Sequence, residues 1–199
     1  MIAMSYEPKN FDHLLGTEGF SDQLLKNHFM LYQGYVANTN KMLDLMMNML
    51  KDGKANTPEY AELKRRFGWE FNGMRLHEYY FENMTKKPAE IKKDAPVFKQ
   101  IMKDFGSREQ WENGFKAVGA MRGIGWVILC YDQIGKRLFN VWINEHDAGH
   151  LAGAIPLLVM DVFEHAFMID YGLKRADYIT AFFKAVDWNM VAKRFDKIV

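Results

Sequence analysis

The chain has 199 residues, with 26 Lys and Arg against 25 Asp and Glu, and 49% of its residues are hydrophobic. This length and composition fit one large domain, or two small ones that share a core, and they argue against extensive disorder. The near balance of charges argues against a nucleic-acid partner, which would favour a strongly basic surface.

The cysteine count and the lengths of the apolar runs bear on where in the cell the protein is expected. Cys130 is the single cysteine, so the chain cannot form an intrachain disulfide, and a cytoplasmic location is expected. The first residues lack a charged stretch followed by an apolar core, so no secretory signal is expected. The longest apolar run, near residues 151–160, is far below the roughly 20 residues of a membrane span, and no membrane partner is expected.

The first half of the chain has apolar residues at helical spacing. Residues 1–20 predict an irregular arm because they are broken by proline and glycine. Ser21 then caps a helix predicted over residues 22–51. Thr57, followed by proline and glutamate, begins a second helix that is predicted to continue to residue 84. The two segments predict a long helical hairpin.

The second half mixes helical and strand patterns. Residues 85–121 predict two helices that are separated by Gly106. Residues 123–131 and 138–143 are rich in β-branched and aromatic residues and predict a strand pair, and residues 155–160 predict a third strand. Two closing helices follow.

The sequence therefore predicts an α+β protein. An N-terminal arm and helical hairpin would occupy residues 1–88, and a C-terminal domain with a small sheet and helices would occupy residues 89–199. No internal repeat is visible in the sequence.

Four residues are candidate metal ligands. Asp161 follows an apolar strand and His165 comes four residues later, so the strand end can aim both at one point, although a helix cap and an interior histidine would give the same pattern. His28 and His77 lie on the two long helices, where each alone is more often a core residue. Together they form a nitrogen and oxygen set suited to iron or manganese, while zinc is disfavoured because no His-x3-His or Cys-x2-Cys pair lies among these four residues.

Taken in order, several segments resemble the iron/manganese superoxide dismutase family over nearly the whole chain. The segments that carry the resemblance are His28 with Tyr35-Val36-Ala37-Asn38-Thr39-Asn40, Leu76-His77-Glu78-Tyr79-Tyr80-Phe81, Gly123-Ile124-Gly125-Trp126, Ile155-Pro156-Leu157-Leu158, Asp161-Val162-Phe163-Glu164-His165-Ala166 and Asp177-Tyr178-Ile179. The resemblance implies a helical hairpin packed on a three-stranded antiparallel sheet with helices, and a metal between the two halves. It also implies superoxide as substrate, a homodimer, and one iron or manganese ion per subunit on His28, His77, Asp161 and His165.

The same resemblance implies roles for further residues. Tyr35 resembles the tyrosine at the substrate entrance, and His146 lies where some members place a histidine that hydrogen-bonds metal-bound solvent. An ordinary buried phenol and a surface loop histidine are the alternatives for these two. Glu164 resembles the glutamate that reaches a ligand histidine of the other subunit. Trp126 belongs to the first strand, and Phe163 stands where the family usually has a tryptophan near the metal.

The chain departs from the family pattern on the first ligand helix. His28 and Tyr35 are seven residues apart rather than the usual eight, and an ungapped match would put Asn27 at the ligand position. Seven residues at about 100° each return to the same helical face, so His28 and Tyr35 can both point inward. His28 is therefore the predicted ligand.

Two further departures lie where the resemblance implies a dimer contact. The family's histidine between the ligand and the tyrosine falls on Leu31 or Tyr32, and the tyrosine after the last ligand is Met168. In relatives, as the resemblance implies, the two missing groups meet across the dimer interface.

The predicted activity is the conversion of superoxide to dioxygen and hydrogen peroxide by redox cycling of a mononuclear iron or manganese. The main alternative is a metalloprotein of the same fold without dismutase activity. A helical interaction module with core histidines is a second alternative. A di-iron carboxylate bundle is disfavoured because the chain has no Glu-x2-His pair.

Overall fold

The structure is a computed structural model that describes residues 5–199. The predicted arm is therefore described from Ser5 onward. Residues 1–4, where the sequence predicts no secretory signal, lie outside the described residues. The helices and strands are α1 (Asp22–Lys51), α2 (Pro58–Glu82), α3 (Pro96–Phe105), α4 (Arg108–Gly119), β1 (Gly125–Asp132), β2 (Arg137–Asn144), β3 (Ala154–Asp161), α5 (Met168–Tyr171), α6 (Arg175–Ala185) and α7 (Trp188–Asp196). Short 3-10 turns lie at Asp12–Leu14 and Glu164–Ala166.

Helices α1 and α2 form the predicted hairpin, and side-chain caps define where each begins. The Ser21 hydroxyl accepts the backbone N–H of Leu24, and the Thr57 hydroxyl accepts that of Tyr60. Helix α1 has its predicted bounds. Helix α2 ends at Glu82, two residues earlier than predicted, because Asn83 leaves the helix and its amide donates to the carbonyl of Val159 at 3.0 Å.

The sheet has the strand order β2-β1-β3, with both pairings antiparallel, which confirms the predicted three-stranded antiparallel sheet. The central strand β1 is buried along nearly its whole length, as its apolar sequence requires. In the β1–β3 register Trp126 is paired with Asp161, so the end of β3 and the start of β1 present their side chains at one edge. The predicted break at Gly106 separates α3 from α4 and has φ 80°, a conformation that favours glycine.

The hairpin, the sheet and α6 meet around the end of β3. The Tyr178 hydroxyl donates to the Asp161 carbonyl at 2.6 Å, and it lies 3.2 Å from the Tyr80 hydroxyl of α2. The Tyr80 ring stacks on Phe182 of α6 with ring centroids 5.7 Å apart. These contacts fix Asp161 against both halves of the chain.

Across residues 5–199, no helix has the length and apolar character that crossing a bilayer would require. The boundary between residues 88 and 89 stays a prediction.

Candidate metal centre

The structure brings the four predicted ligands together from four elements of the fold. His28 comes from α1, His77 from α2, Asp161 from the end of β3, and His165 from the 3-10 turn that follows. The Nε2 atoms of these histidines lie 3.2, 3.6 and 3.1 Å, in that order, from Oδ2 of Asp161. All four candidate ligand atoms lie within 4.8 Å of one another.

Asp161 has one oxygen fixed by the protein backbone and one directed at the histidines. Its Oδ1 accepts the Phe163 N–H at 2.8 Å, and Oδ2 faces the cluster. The 3-10 turn that follows begins after Phe163 without a side-chain cap, so Asp161 is not the helix cap that the sequence also allowed. Burial raises the pKa of this carboxyl, but the nearby His165 and His28 lower it more, so the pKa lies well below its ordinary value. Asp161 is therefore an anion.

His77 has a free lone pair aimed at the cluster. Its Nδ1–H donates to the carbonyl of Gly73 at 2.5 Å, which leaves Nε2 without a hydrogen. That Nε2 is buried and has no hydrogen-bond partner among residues 5–199. Burial lowers the pKa of His77 well below its ordinary value, so the ring is neutral. A buried, unpartnered lone pair beside two other imidazoles and a carboxylate fits a metal ion.

The shorter spacing on α1 places His28 inside the cluster and Asn27 outside it. His28 is 2% exposed, and its ring lies against Tyr80 and Phe81, with centroids 5.2 and 4.9 Å away. Asn27 instead accepts a hydrogen bond from Gln23 at 2.7 Å. Burial lowers the pKa of His28, which favours the neutral, ligating form.

A hydrogen-bonded chain from Trp126 through His146 to Tyr35 borders the cluster. The Trp126 indole N–H donates to Nδ1 of His146 at 3.0 Å. Burial lowers the pKa of His146 to about 4, so the ring is neutral at pH 7 and carries its single hydrogen on Nε2. Nε2 then donates to the Tyr35 oxygen at 2.8 Å. Both ring nitrogens of His146 thus have protein partners, and the Tyr35 hydroxyl keeps a proton to donate.

Tyr35 connects this chain to the candidate ligands. Its ring stacks on His77 with centroids 5.3 Å apart. Burial raises the pKa of Tyr35 to about 12, and the charge of Asp161 adds to the effect, so the phenol stays protonated at neutral pH. A hydrogen bond straight from His146 to metal-bound solvent would need a free ring nitrogen, so the geometry favours an effect of His146 through Tyr35.

Aromatic side chains surround the remaining edges of the cluster. Trp126 lies edge-on to His77 at 4.9 Å, and Phe163 stacks on both His146 and His165, at 4.7 and 5.2 Å. Phe163 therefore fills the place where the resemblance implied a tryptophan.

Sequence reasoning missed Gly73 and Trp69. Gly73 lies one helical turn before His77, where an i, i−4 carbonyl is within reach of a histidine ring, so helical spacing was the available signal. Trp69 lies edge-on to His146 at 4.9 Å, and nothing in its sequence surroundings indicates that contact.

Comparison with known proteins points to one family. Residues 93–194 match the family model for the C-terminal domain of iron/manganese superoxide dismutases. A superoxide dismutase [Fe] of Aquifex pyrophilus is 39% identical, with 96% of this chain and 91% of the relative covered. A superoxide dismutase [Mn] 2 of Haloferax volcanii is 34% identical, with 98% of each chain covered.

The chain belongs to the iron/manganese superoxide dismutase family. Its activity is the conversion of superoxide to dioxygen and hydrogen peroxide with iron or manganese as cofactor, as the sequence predicted.

Proposed function

We propose that His28, His77, Asp161 and His165 together hold one iron or manganese ion per subunit, and that the protein dismutes superoxide there. The observation that carries this assignment is the buried Nε2 of His77, whose lone pair has no hydrogen-bond partner among the described residues. Three imidazole nitrogens and one carboxylate oxygen suit either metal.

The reaction determines what the chain must supply. Two superoxide anions and two protons give one dioxygen and one hydrogen peroxide, so one anion loses an electron while the other gains an electron and both protons. When bound, the ion supplies the one-electron redox chemistry through its trivalent and divalent states. The anionic Asp161 offsets part of the positive charge of the centre.

We propose that Tyr35 and His146 organise proton supply. Because its pKa is about 12, Tyr35 serves as a hydrogen-bond donor and not as a phenolate at neutral pH. His146 orients that hydroxyl by donating to its oxygen, and Trp126 holds His146 in the tautomer that can do so.

We also propose a homodimer formed at the turn that carries His165. The His165 side chain is 28% exposed in the single subunit, although the other three candidate ligands are buried. Glu164 beside it is exposed, and Met168 and Ile169 are large apolar side chains that are also exposed. A second copy on this face would cover both the ligand edge and the apolar side chains.

Two finer assignments complete the proposal. The single, buried Cys130 supports a cytoplasmic location, in which the protein would act as an antioxidant. The metal centre is proposed to join an N-terminal unit, residues 1–88, to a C-terminal unit, residues 89–199.

Reconstitution with each metal tests the proposed function. Purified protein is loaded separately with iron and manganese, and metal content and dismutase activity are measured. We expect about one ion per subunit, and activity with at least one metal. Stoichiometric metal without activity for either ion would favour a same-fold metalloprotein that is not a dismutase, and a failure to retain metal would overturn the assignment of ligands.

A further inference from the structure

A group of three α2 side chains lies beside Tyr35 and His146. Arg66, Trp69 and Glu70 are spaced i, i+3 and i+4, so they share one face of the helix. The guanidinium carbon of Arg66 lies 4.6 Å from the Trp69 ring centroid, and the edge-on contact of Trp69 with His146 links this group to the candidate site.

The cation of this group faces solvent, whereas its carboxylate partner is buried. Arg66 directs Nε and Nη2 at the same Glu70 oxygen, at 3.0 and 2.9 Å. The other Glu70 oxygen accepts a hydrogen bond from Asn38 at 3.3 Å. The Arg66 side chain is 55% exposed and that of Glu70 is 7% exposed. The guanidinium is therefore held in place by Glu70 and Trp69 while it stays accessible to a dissolved anion.

A chain of contacts connects Arg66 to Tyr35. The Trp69 ring that packs against the Arg66 guanidinium also contacts His146, and Nε2 of His146 lies 2.8 Å from the Tyr35 oxygen. Arg66 therefore lies on the side of the site where Tyr35 is only half-buried. The other exposed edge of the site is His165, which the proposed dimer would cover, so the half-buried Tyr35 marks the edge that stays open to a small molecule.

We propose that Arg66 is the positioning residue that guides the superoxide anion toward Tyr35 and the metal centre. This inference rests on the proposed function. A fixed, exposed cation beside the entrance attracts an anionic substrate toward this side of the site.

The dependence of kcat/KM on ionic strength tests the role, because electrostatic guidance is screened by salt while a structural contact is not. Pulse radiolysis of metal-loaded protein is carried out from about 0.01 M to about 0.3 M ionic strength. For Arg66→Gln we expect kcat/KM to fall about 3- to 10-fold at low salt and to approach the parent value at high salt. Arg66→Lys should retain most of the salt dependence.

The matched control is Arg65→Gln, which removes the same charge from the adjacent position. The Arg65 side chain is 72% exposed and pairs with Glu62 at 2.8 Å. The Arg65→Gln variant should therefore show a salt dependence of kcat/KM close to that of the parent. Equal losses in the two glutamine variants would mean that only net charge matters, and a loss in Arg66→Gln that persists at high salt would mean a structural role. Either result overturns the proposal.

A second variant keeps the test decisive if Arg66→Gln does not fold because Glu70 is left buried without its partner. Arg66→Gln/Glu70→Gln removes that buried charge and should show the same flattened salt dependence. An unaltered salt dependence in the double variant overturns the role of Arg66. An inactive, metal-loaded parent would instead overturn the proposed function, so the two failures are distinguishable.

Discussion

At the scale of single residues, His77 and His146 are each oriented by the hydrogen-bond partner of one ring nitrogen, which decides what the other nitrogen can do. The Gly73 carbonyl takes the Nδ1 hydrogen of His77 and leaves its Nε2 lone pair toward the candidate ligands. The Trp126 indole occupies Nδ1 of His146 and leaves its Nε2 hydrogen for Tyr35. One hydrogen bond therefore makes the first histidine a candidate ligand and the second a donor.

His146→Leu tests the link between His146 and Tyr35. The substitution removes the donor to the Tyr35 oxygen but no candidate ligand, so turnover should suffer more than metal content. We expect a folded, substantially metallated protein whose dismutase activity is lower by about 10-fold or more. Elemental analysis and an activity assay on the same sample measure both quantities.

His150→Leu is the control for that substitution. His150 Nε2 lies 3.0 Å from the backbone carbonyl of His146, so its loss leaves the side-chain hydrogen bond between His146 and Tyr35 in place and should be milder. Full activity in His146→Leu together with a severe loss in His150→Leu would transfer the role to His150.

The sequence allowed the four candidate ligands to be predicted, but the hydrogen-bonded chain beside them could not be derived from it. His146 meets Trp126 across 20 residues and Tyr35 across 111. Neither separation follows a helical or strand period, so the contacts depend on how the hairpin packs on the sheet.

At the scale of elements, α2 combines several roles through its helical spacing. It carries the candidate ligand His77, the carbonyl of Gly73 that orients it, and Arg66 two turns earlier. Gly73 also makes room for Tyr35 of α1: a Cβ atom at this position would lie 2.5 Å from Cδ1 of the tyrosine ring. The close approach of the two helices therefore requires glycine there.

Gly73→Ala tests this close approach. The added methyl group must displace the Tyr35 ring, on which the hydrogen bond to His146 depends, because a 2.5 Å carbon–carbon contact is not tolerated. We expect the free energy of unfolding to fall by about 1–3 kcal/mol and dismutase activity to fall about 10-fold. Chemical denaturation and the activity assay measure the two effects.

The same helix offers a control at Gly68, where an added Cβ would meet nothing within 4 Å. Gly68→Ala should raise the free energy of unfolding by about 0.5–1 kcal/mol, since alanine favours the helix. Equal changes in the free energy of unfolding and in dismutase activity in the two alanine variants would contradict the close contact between Tyr35 and Gly73.

Element boundaries were predictable where local capping decides them and less so where tertiary contacts do. Helix α1 has its predicted bounds because Ser21 caps it locally. Helix α2 stops early because Asn83 bonds to a strand far away in the sequence. After β3 the chain forms a 3-10 turn and then the short α5 rather than one continuous helix, since Asp161 and Phe163 hold it in a tight turn.

At the scale of the whole molecule, Arg194 of α7 ties the last helix to the hairpin and the sheet. Its guanidinium donates to the side chain of Asn83, to the Leu157 carbonyl at 2.9 Å and to Glu82 at 2.9 Å. The side chain is 11% exposed, so these bonds are shielded from water. One residue thus joins three parts of the fold.

Arg194→Met should therefore lower the free energy of unfolding by about 3 kcal/mol, because several polar groups lose their partner. Burial raises the pKa of Glu82, but Lys9 and Arg194 lower it more, so the pKa is depressed in the folded protein. The stability that Glu82 gains from these two partners is present above the ordinary pKa of a glutamate, and it is lost as the pH falls through the depressed pKa. The difference between parent and variant should accordingly shrink in acid.

The neighbouring Lys193 is exposed, and Lys193→Met removes the same charge without breaking those bonds. It should change the free energy of unfolding by no more than about 0.5 kcal/mol. Urea denaturation at neutral and acidic pH compares the two variants, and equal effects would show that only net charge matters.

The proposed dimer is tested at Glu164. If this exposed residue contacts a ligand histidine of a second subunit, Glu164→Ala should weaken the dimer and lower metal retention together. Size-exclusion chromatography over a range of protein concentrations, with elemental analysis of each fraction, measures both. An unchanged elution volume with full metal content would contradict the proposed interface.

The most direct test of the central claim is anomalous X-ray scattering from crystals of the metal-loaded protein, recorded at the iron and manganese absorption edges. The account predicts one anomalous peak per subunit, bounded by the Nε2 atoms of His28, His77 and His165 and by the Asp161 carboxylate. A peak at any other position, a peak ligated by His146 in place of one of these four residues, or no peak in protein that has dismutase activity would contradict it.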